Sequence, residues 1–196
     1  MTKLKIVGFA GSSSRPSRTR NLVETIARTV AVRLDAKTSI YDLTNVHPSL
    51  GATLDAREAT ADLAELIATI TEADALIVGS PVYKGTYTGL FKHLFDLIEP
   101  KALKDKPIVL SATGGSERHA LVLDHGLRPL FAFFSADILA TGVYATESDF
   151  TDHRPHSSAV IARIERAADE LGWRLRSGRT SASPELRLVP ALAETA

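Results

Sequence analysis

Leu4-Lys5-Ile6-Val7-Gly8-Phe9-Ala10-Gly11-Ser12-Ser13-Ser14-Arg15-Pro16-Ser17-Arg18-Thr19-Arg20-Asn21 is the stretch that decides the architecture. Residues 4–9 form an apolar, β-branched run with strand character. A loop rich in Ser, Gly and Pro follows, and Leu22, Ile26 and Val30 then recur at helical spacing. Strand, loop and helix make the first step of an alternation that continues outward along the chain. Strands are expected at residues 38–43, 75–79, 108–112 and 138–144. Between and after them, Leu63, Leu66, Ile67 and Ile70 mark a second helix, and Leu90 to Ile98 a third that Pro100 ends. Residues 120–134 read as a fourth helix, and Ile161, Ile164, Ala168 and Leu171 line a fifth. Residues 47–55 read as a connecting loop. Five strands alternating with five helices predict a three-layer α/β sandwich around a parallel sheet. Right-handed crossovers leave few topologies, and the order 2-1-3-4-5 with helices on both faces is chosen.

The chain has 196 residues, suited to one domain with one sizeable core. Residues 1–175 are taken as that domain. Residues 176–196 lose periodicity and read as a loose tail or an arm packed on a partner subunit. Basic and acidic residues balance at 23 each, which removes the basic excess of a non-specific nucleic-acid binder. There is no cysteine, so disulfides, thiolate metal sites and cysteine nucleophiles are excluded. His47, His93, His153 and His156 are scattered without metal-ligand spacing. The first apolar run is too short for a signal segment, and no stretch is long enough to span a bilayer. A cytoplasmic protein without membrane or nucleic-acid partners is expected.

In such a sheet, ligands sit beyond the carboxyl ends of the strands, at the switch point between the first and third. Three unusual loops leave the sheet there. The first, Gly11 to Asn21, sets Ser and Thr hydroxyls and Arg15, Arg18 and Arg20 around the unpaired N–H groups of a helix start, where the helix dipole favours anions. That is a phosphate cradle, although a serine-capped turn has the same look. It is neither a P-loop nor the Gly-x-Gly-x-x-Gly fingerprint. The second, Ser80-Pro81-Val82-Tyr83-Lys84-Gly85-Thr86-Tyr87, offers flat apolar surface, or equally a turn with two half-buried tyrosines. The third, Ala112-Thr113-Gly114-Gly115-Ser116-Glu117-Arg118-His119, allows backbone N–H groups close to a planar ligand, or simply a tight connection. Phosphate at one loop and a planar ring between the other two describe FMN.

With these loops the chain resembles the NAD(P)H-dependent FMN reductases of flavodoxin-like fold. Within them it is most similar to the reductases of two-component alkanesulfonate and methanesulfonate monooxygenase systems. Arg15-Pro-Ser-Arg-Thr19, Ser80-Pro-Val-Tyr-Lys84, Ala112-Thr-Gly-Gly-Ser-Glu-Arg-His-Ala-Leu-Val-Leu-Asp-His125 and Gly142-Val-Tyr-Ala-Thr-Glu147 carry the likeness, which spans roughly residues 4–172. The resemblance implies that Ser12, Ser17, Arg18 and Thr19 hold the FMN phosphate. It also implies that Pro81, Val82, Tyr83 and Lys84 line the isoalloxazine, and that Thr113, Gly114 and Gly115 meet its pyrimidine end. Arg15 comes one residue later than the commoner Gly-Ser-x-Arg spelling, so Arg18 is the arginine assigned to the phosphate. The implied activity is hydride transfer from NADH or NADPH to FMN, with reduced FMN passed to a separate monooxygenase. No side chain is assigned as general base, because the flavin carries the chemistry. A quinone or azo reductase with tightly bound FMN shares all three loops. An electron-carrier flavodoxin is the non-enzymatic rival, and carriers of that family are usually strongly acidic where this chain is neutral.

The resemblance also implies a π-bulge in the fourth helix at a tetramer interface, with His125 where the alkanesulfonate type has Tyr. The residues agree with an irregularity there. Pro129 has no N–H for the His125 carbonyl, and Gly126 weakens the helix further. Phe131, Phe133 and Phe134 are too many for one buried stripe, so an aromatic surface is expected on this helix, suited to a homo-oligomer of two or four subunits. His125 is expected to stack near flavin across that interface and help it leave.

Overall fold

The computed structural model describes residues 3–177. β1 (Lys5–Ala10) leads into α1 (Arg18–Leu34), β2 (Lys37–Asp42), α2 (Ala61–Glu72), β3 (Ala75–Pro81), α3 (Gly89–Asp96) and β4 (Pro107–Gly114). Then come α4 (Arg128–Phe133), β5 (Asp137–Ile138), β6 (Val143–Thr146), a hairpin of β7 (Phe150–Thr151) with β8 (Arg154–Pro155), and α5 (Ser158–Ser177). The parallel order is β2-β1-β3-β4-β5, with β6 also beside β4. This is the flavodoxin-like α/β fold expected above.

The two-residue side-chain period of a strand sorts the core into two halves. Ile6 and Ala10 of β1, Ala75 and Ile77 of β3, and Val109 of β4 face α1 and α5. Val7, Phe9, Leu76, Val78, Ile108 and Leu110 face α2, α3 and the segment ending in α4. Gly8 and Gly79 bring α1 close to the sheet. A Cβ at Gly79 would sit 2.5 Å from Ser111 Oγ and 2.6 Å from Val23 Cγ2. α1 begins at Ser17, whose side chain accepts the Arg20 N–H, and ends on Asp35 in a left-handed conformation.

Three expectations need correcting. Residues 138–144 are not one strand. Glu170 of α5 accepts the N–H groups of Ala140 (2.7 Å) and Thr141 (2.9 Å), which splits the strand into β5 and β6. Burial would raise its pKa, but these two bonds, a third from the Thr141 side chain and the charge of Arg174 outweigh it, so Glu170 titrates below the ordinary range. Residues 47–55 are not featureless either, since Ser49–Ala52 is a helical turn that buries Leu50. Residues 120–134 do not form one helix. Glu117–His119 is a 3-10 turn, Leu123–Leu127 a π-turn, and only Arg128–Phe133 is α-helical. The Arg128 N–H reaches back five residues to the Leu123 carbonyl, ahead of Pro129, which donates nothing. α5 runs through Ser177, past the boundary expected at 175, and the rest of the expected tail lies outside the described residues. No helix among the described residues is long and apolar enough to cross a membrane.

Candidate functional site

β1, β3 and β4 end side by side, and the loops beyond them wall a cleft of about 260 Å³. Ser12, Ser17, Arg18 and Thr19 line it from the first loop and the start of α1. Pro81, Val82 and Tyr83 line it from the end of β3, and Thr113, Gly114 and Gly115 from the end of β4. Of the residues expected here, only Lys84 falls outside that lining. The reason is local: Lys84 (φ 52) and Gly85 (φ 93) form the exposed tip of a tight turn closed by hydrogen bonds between Tyr83 and Thr86.

The hydroxyls are arranged to donate. Ser12 Oγ is buried and has no hydrogen-bond partner among the described residues. Ser17 Oγ accepts the Arg20 N–H, which leaves its own proton unassigned. Thr19 and Thr113 share one hydrogen bond of 2.6 Å between their Oγ1 atoms, so one of the two keeps a proton for a ligand. The first turn of α1 carries no acidic residue to compete.

The three arginines of the first loop divide their work. Asp42, fully buried at the end of β2, accepts Arg15 through Nε (2.9 Å) and Nη2 (3.1 Å). It also pairs with Arg20 Nε at 3.2 Å. The hydrogen bond to Asp42 raises the Arg15 pKa, against a smaller opposing effect of burial and with help from the aspartate's charge. Arg15 and Arg20 thus brace the loop from behind, and Arg18 is the guanidinium at the cleft, paired with Glu147.

The ring end is flatter and barer. Tyr83 is 56% exposed beside half-buried Val82 and Pro81. Opposite, Gly115 has nothing within 4 Å of where a Cβ would stand, so main chain there is open to a ligand. Gly114 is packed from behind: a Cβ would come within 2.1 Å of Tyr144 Oη, which donates to the Ser116 carbonyl at 2.6 Å. Burial and the nearby Glu117 charge raise the Tyr144 pKa, so the phenol keeps its proton and this bond.

Ser14, Pro16, Thr146, Glu147 and His153 also line the cleft, and sequence reasoning gave them no role. Thr146 caps the turn Glu147–Asp149 by donating N–H (2.7 Å) and Oγ1–H (2.8 Å) to Asp149. His153 was read only as one of several scattered histidines. It is the second residue of a two-residue turn, Asp152 (φ 49) and His153 (φ 63), and its carbonyl accepts Asn21 Nδ2 at 2.8 Å. The Asp-His pair between Phe150-Thr151 and Arg154 was the available signal for that hairpin.

His125 lies elsewhere. It is exposed, within the π-turn, and lines a larger groove of about 760 Å³ with Leu54, Tyr87, Phe95, Pro129 and Phe133. That groove is mostly apolar and lacks the converging hydroxyls of the cleft. Among the described residues no group of three or more His, Asp or Glu is placed to hold a metal ion.

Residues 4–151 match the family model described as NADPH-dependent FMN reductase. The chain is 48% identical over 177 residues to the NADH-dependent FMN reductase SfnF of Pseudomonas fluorescens strain Pf0-1, covering 88% of this chain and 95% of that protein. It is 49% identical over 165 residues to the FMN reductase (NADPH) of Pseudomonas aeruginosa, covering 84% and 89%. The crystal structure of an oxidoreductase from Corynebacterium diphtheriae matches with a TM-score of 0.79 at 34% identity, over 89% of this chain and 98% of that one.

Proposed function

The chain belongs to the NADPH-dependent FMN reductase family, and from that premise we propose that it passes hydride from NADH or NADPH to FMN and releases reduced FMN as a product. The observation that carries the reading is the cleft itself. A buried, unpartnered Ser12 hydroxyl, the start of α1 and Arg18 stand at one end, and the Tyr83 shelf and the open Gly115 main chain at the other. That donor set fits a phosphate monoester joined to a flat ring.

Bound flavin supplies the ring nitrogen that accepts the hydride. The chain's residues position and exclude. Ser12, Ser17 and Arg18 hold the phosphate, with Thr19 or Thr113 giving a further hydroxyl. Pro81, Val82 and Tyr83 support one side of the ring, and the Gly114–Gly115 main chain offers dipoles to negative charge at the pyrimidine end. Tyr83's exposure leaves room for a nicotinamide to stack on the outer face. Lys84, at the exposed turn tip, stands outside the cleft of a single chain.

The consumer of reduced FMN in this reading is a separate flavin-dependent sulfonate monooxygenase, supported by residues 112–125 and 142–147, whose segments carry that likeness. The reading includes a cytoplasmic location and a homo-oligomer of two or four subunits built on the π-turn, exposed Leu121 and Phe133, with His125 stacking near flavin across the interface. Unchanged assembly and unchanged flavin release in His125→Ala would remove that role.

Steady-state oxidation of NADH and of NADPH, each with and without added FMN, tests the function. The expected protein is colourless after dialysis and consumes reduced nicotinamide only when FMN is supplied. The named relatives divide between NADH and NADPH, and the ratio of the two rates decides the donor for this chain. Yellow protein that reduces quinones without added FMN would make it a tight-flavin reductase instead, and absence of nicotinamide oxidation would make it a carrier.

A further inference from the structure

Among the described residues lining the cleft, Arg18 is the one guanidinium and Glu147 the one carboxylate, and the two are paired to each other. The other arginines of the loop are committed to Asp42. The cleft wall therefore offers a ligand phosphate no uncommitted guanidinium until Arg18 leaves Glu147. We propose that Glu147 is an affinity-setting residue: its carboxylate competes with the flavin's phosphate for Arg18 and so keeps FMN exchangeable. This rests on the function proposed above and deepens it, by naming what makes FMN a substrate and not a fixture.

The geometry suits competition more than permanent closure. Arg18 is partly exposed at 39% and Glu147 mostly exposed at 66%, and an ion pair open to solvent is weak enough to exchange. The Glu147 backbone is not free to retreat. It opens the short turn that Thr146 and Asp149 clamp, and that turn directly follows β6. When Arg18 turns to a phosphate, the Glu147 carboxylate stays on the same wall, where like charge opposes the dianion. Riboflavin has the same ring and no phosphate, so its binding does not engage this competition.

The test is equilibrium binding of FMN and of riboflavin, read by quenching of flavin fluorescence without any nicotinamide. Glu147→Gln is expected to bind FMN about five-fold more tightly, the size of an exposed ion pair, with riboflavin unchanged. The gain should shrink as salt is raised. It should also shrink in an Arg18→Gln background, where there is no guanidinium to contest. FMN affinity unchanged or weakened in Glu147→Gln would overturn the proposal. So would equal tightening of riboflavin, or a full gain persisting without Arg18. If the unsubstituted protein takes up no FMN, both the function and this inference fall. If it binds FMN and the substitution changes nothing, only this inference does.

Discussion

The two faces of the sheet are covered in different ways. On one, α1 and α5 are long, regular helices lying on aliphatic side chains. They are pinned to each other by Arg33, which pairs with Glu165 and Asp169. On the other, shorter helices and a π-turn cover Phe9, Phe91, Phe95, Phe131 and Phe134, whose rings meet stacked, edge-on or tilted. The first face leaves Val32 of α1 and Trp173 of α5 exposed. The second leaves Leu54 and Phe133 exposed in an apolar groove, and Leu121 exposed in a smaller pocket that shares His125 and Gly126 with it. Exposed apolar surface of that kind is a feature of interaction sites, and it is the surface the proposed homo-oligomer would use.

The contrast can be broken at its centre first. Phe131 is fully buried and touches Phe91, Phe95 and Phe134. Phe131→Ala should cost about 4 kcal/mol in urea unfolding, and a loss below 1 kcal/mol would mean the aromatic face is not a true core. Gly79→Ala probes the opposite face, where its Cβ would press on Ser111 and Val23. It should cost about 2 kcal/mol by overpacking, with Tm as the readout.

Glu170→Gln comes next. The folded-state pKa of Glu170 is depressed, so its contribution is present above the ordinary carboxylate pKa and lost as pH falls through the folded value. The variant should lose about 1 kcal/mol at neutral pH and converge on the parent in acid, measured by unfolding at several pH values. Gly126→Ala, in the π-turn, meets Thr86 Oγ1 and Val122 Cγ2 only at 3.3 Å. The helical propensity gained and the crowding should nearly cancel, leaving Tm within a few degrees. Smallest for folding is Phe133→Ser, at 69% exposure. Its unfolding free energy should stay within about 0.5 kcal/mol, while sedimentation shows a smaller assembly. An unchanged sedimentation profile would take the assembly role from this face.

Legibility followed the range of the forces involved. β1, β3 and β4 could be read because burial on both faces makes their sequences continuously apolar. The cleft could be read because strand ends in such a sheet converge at the switch point. The fifth strand could not: residues 138–144 are largely apolar, and the break is imposed by Glu170, 30 positions away. Lys84 stands outside the single-chain lining because a motif says which residues are near a site and not that Lys84 and Gly85 take positive φ. The disturbance of the fourth helix was legible from Pro129 and Gly126, since a missing N–H is a local fact, but its resolution into three kinds of turn was not. Glu147 escaped notice because its meaning depends on Arg18, which lies 129 positions away in the sequence.

The division of the fifth strand has a further consequence. An outermost strand with a free row of main-chain donors invites another molecule to extend the sheet. Here that border is a two-residue piece and a four-residue piece, and the donors between them are occupied by a carboxylate. No continuous template is presented on that side, so the same acid that bends the chain also guards it against runaway strand addition.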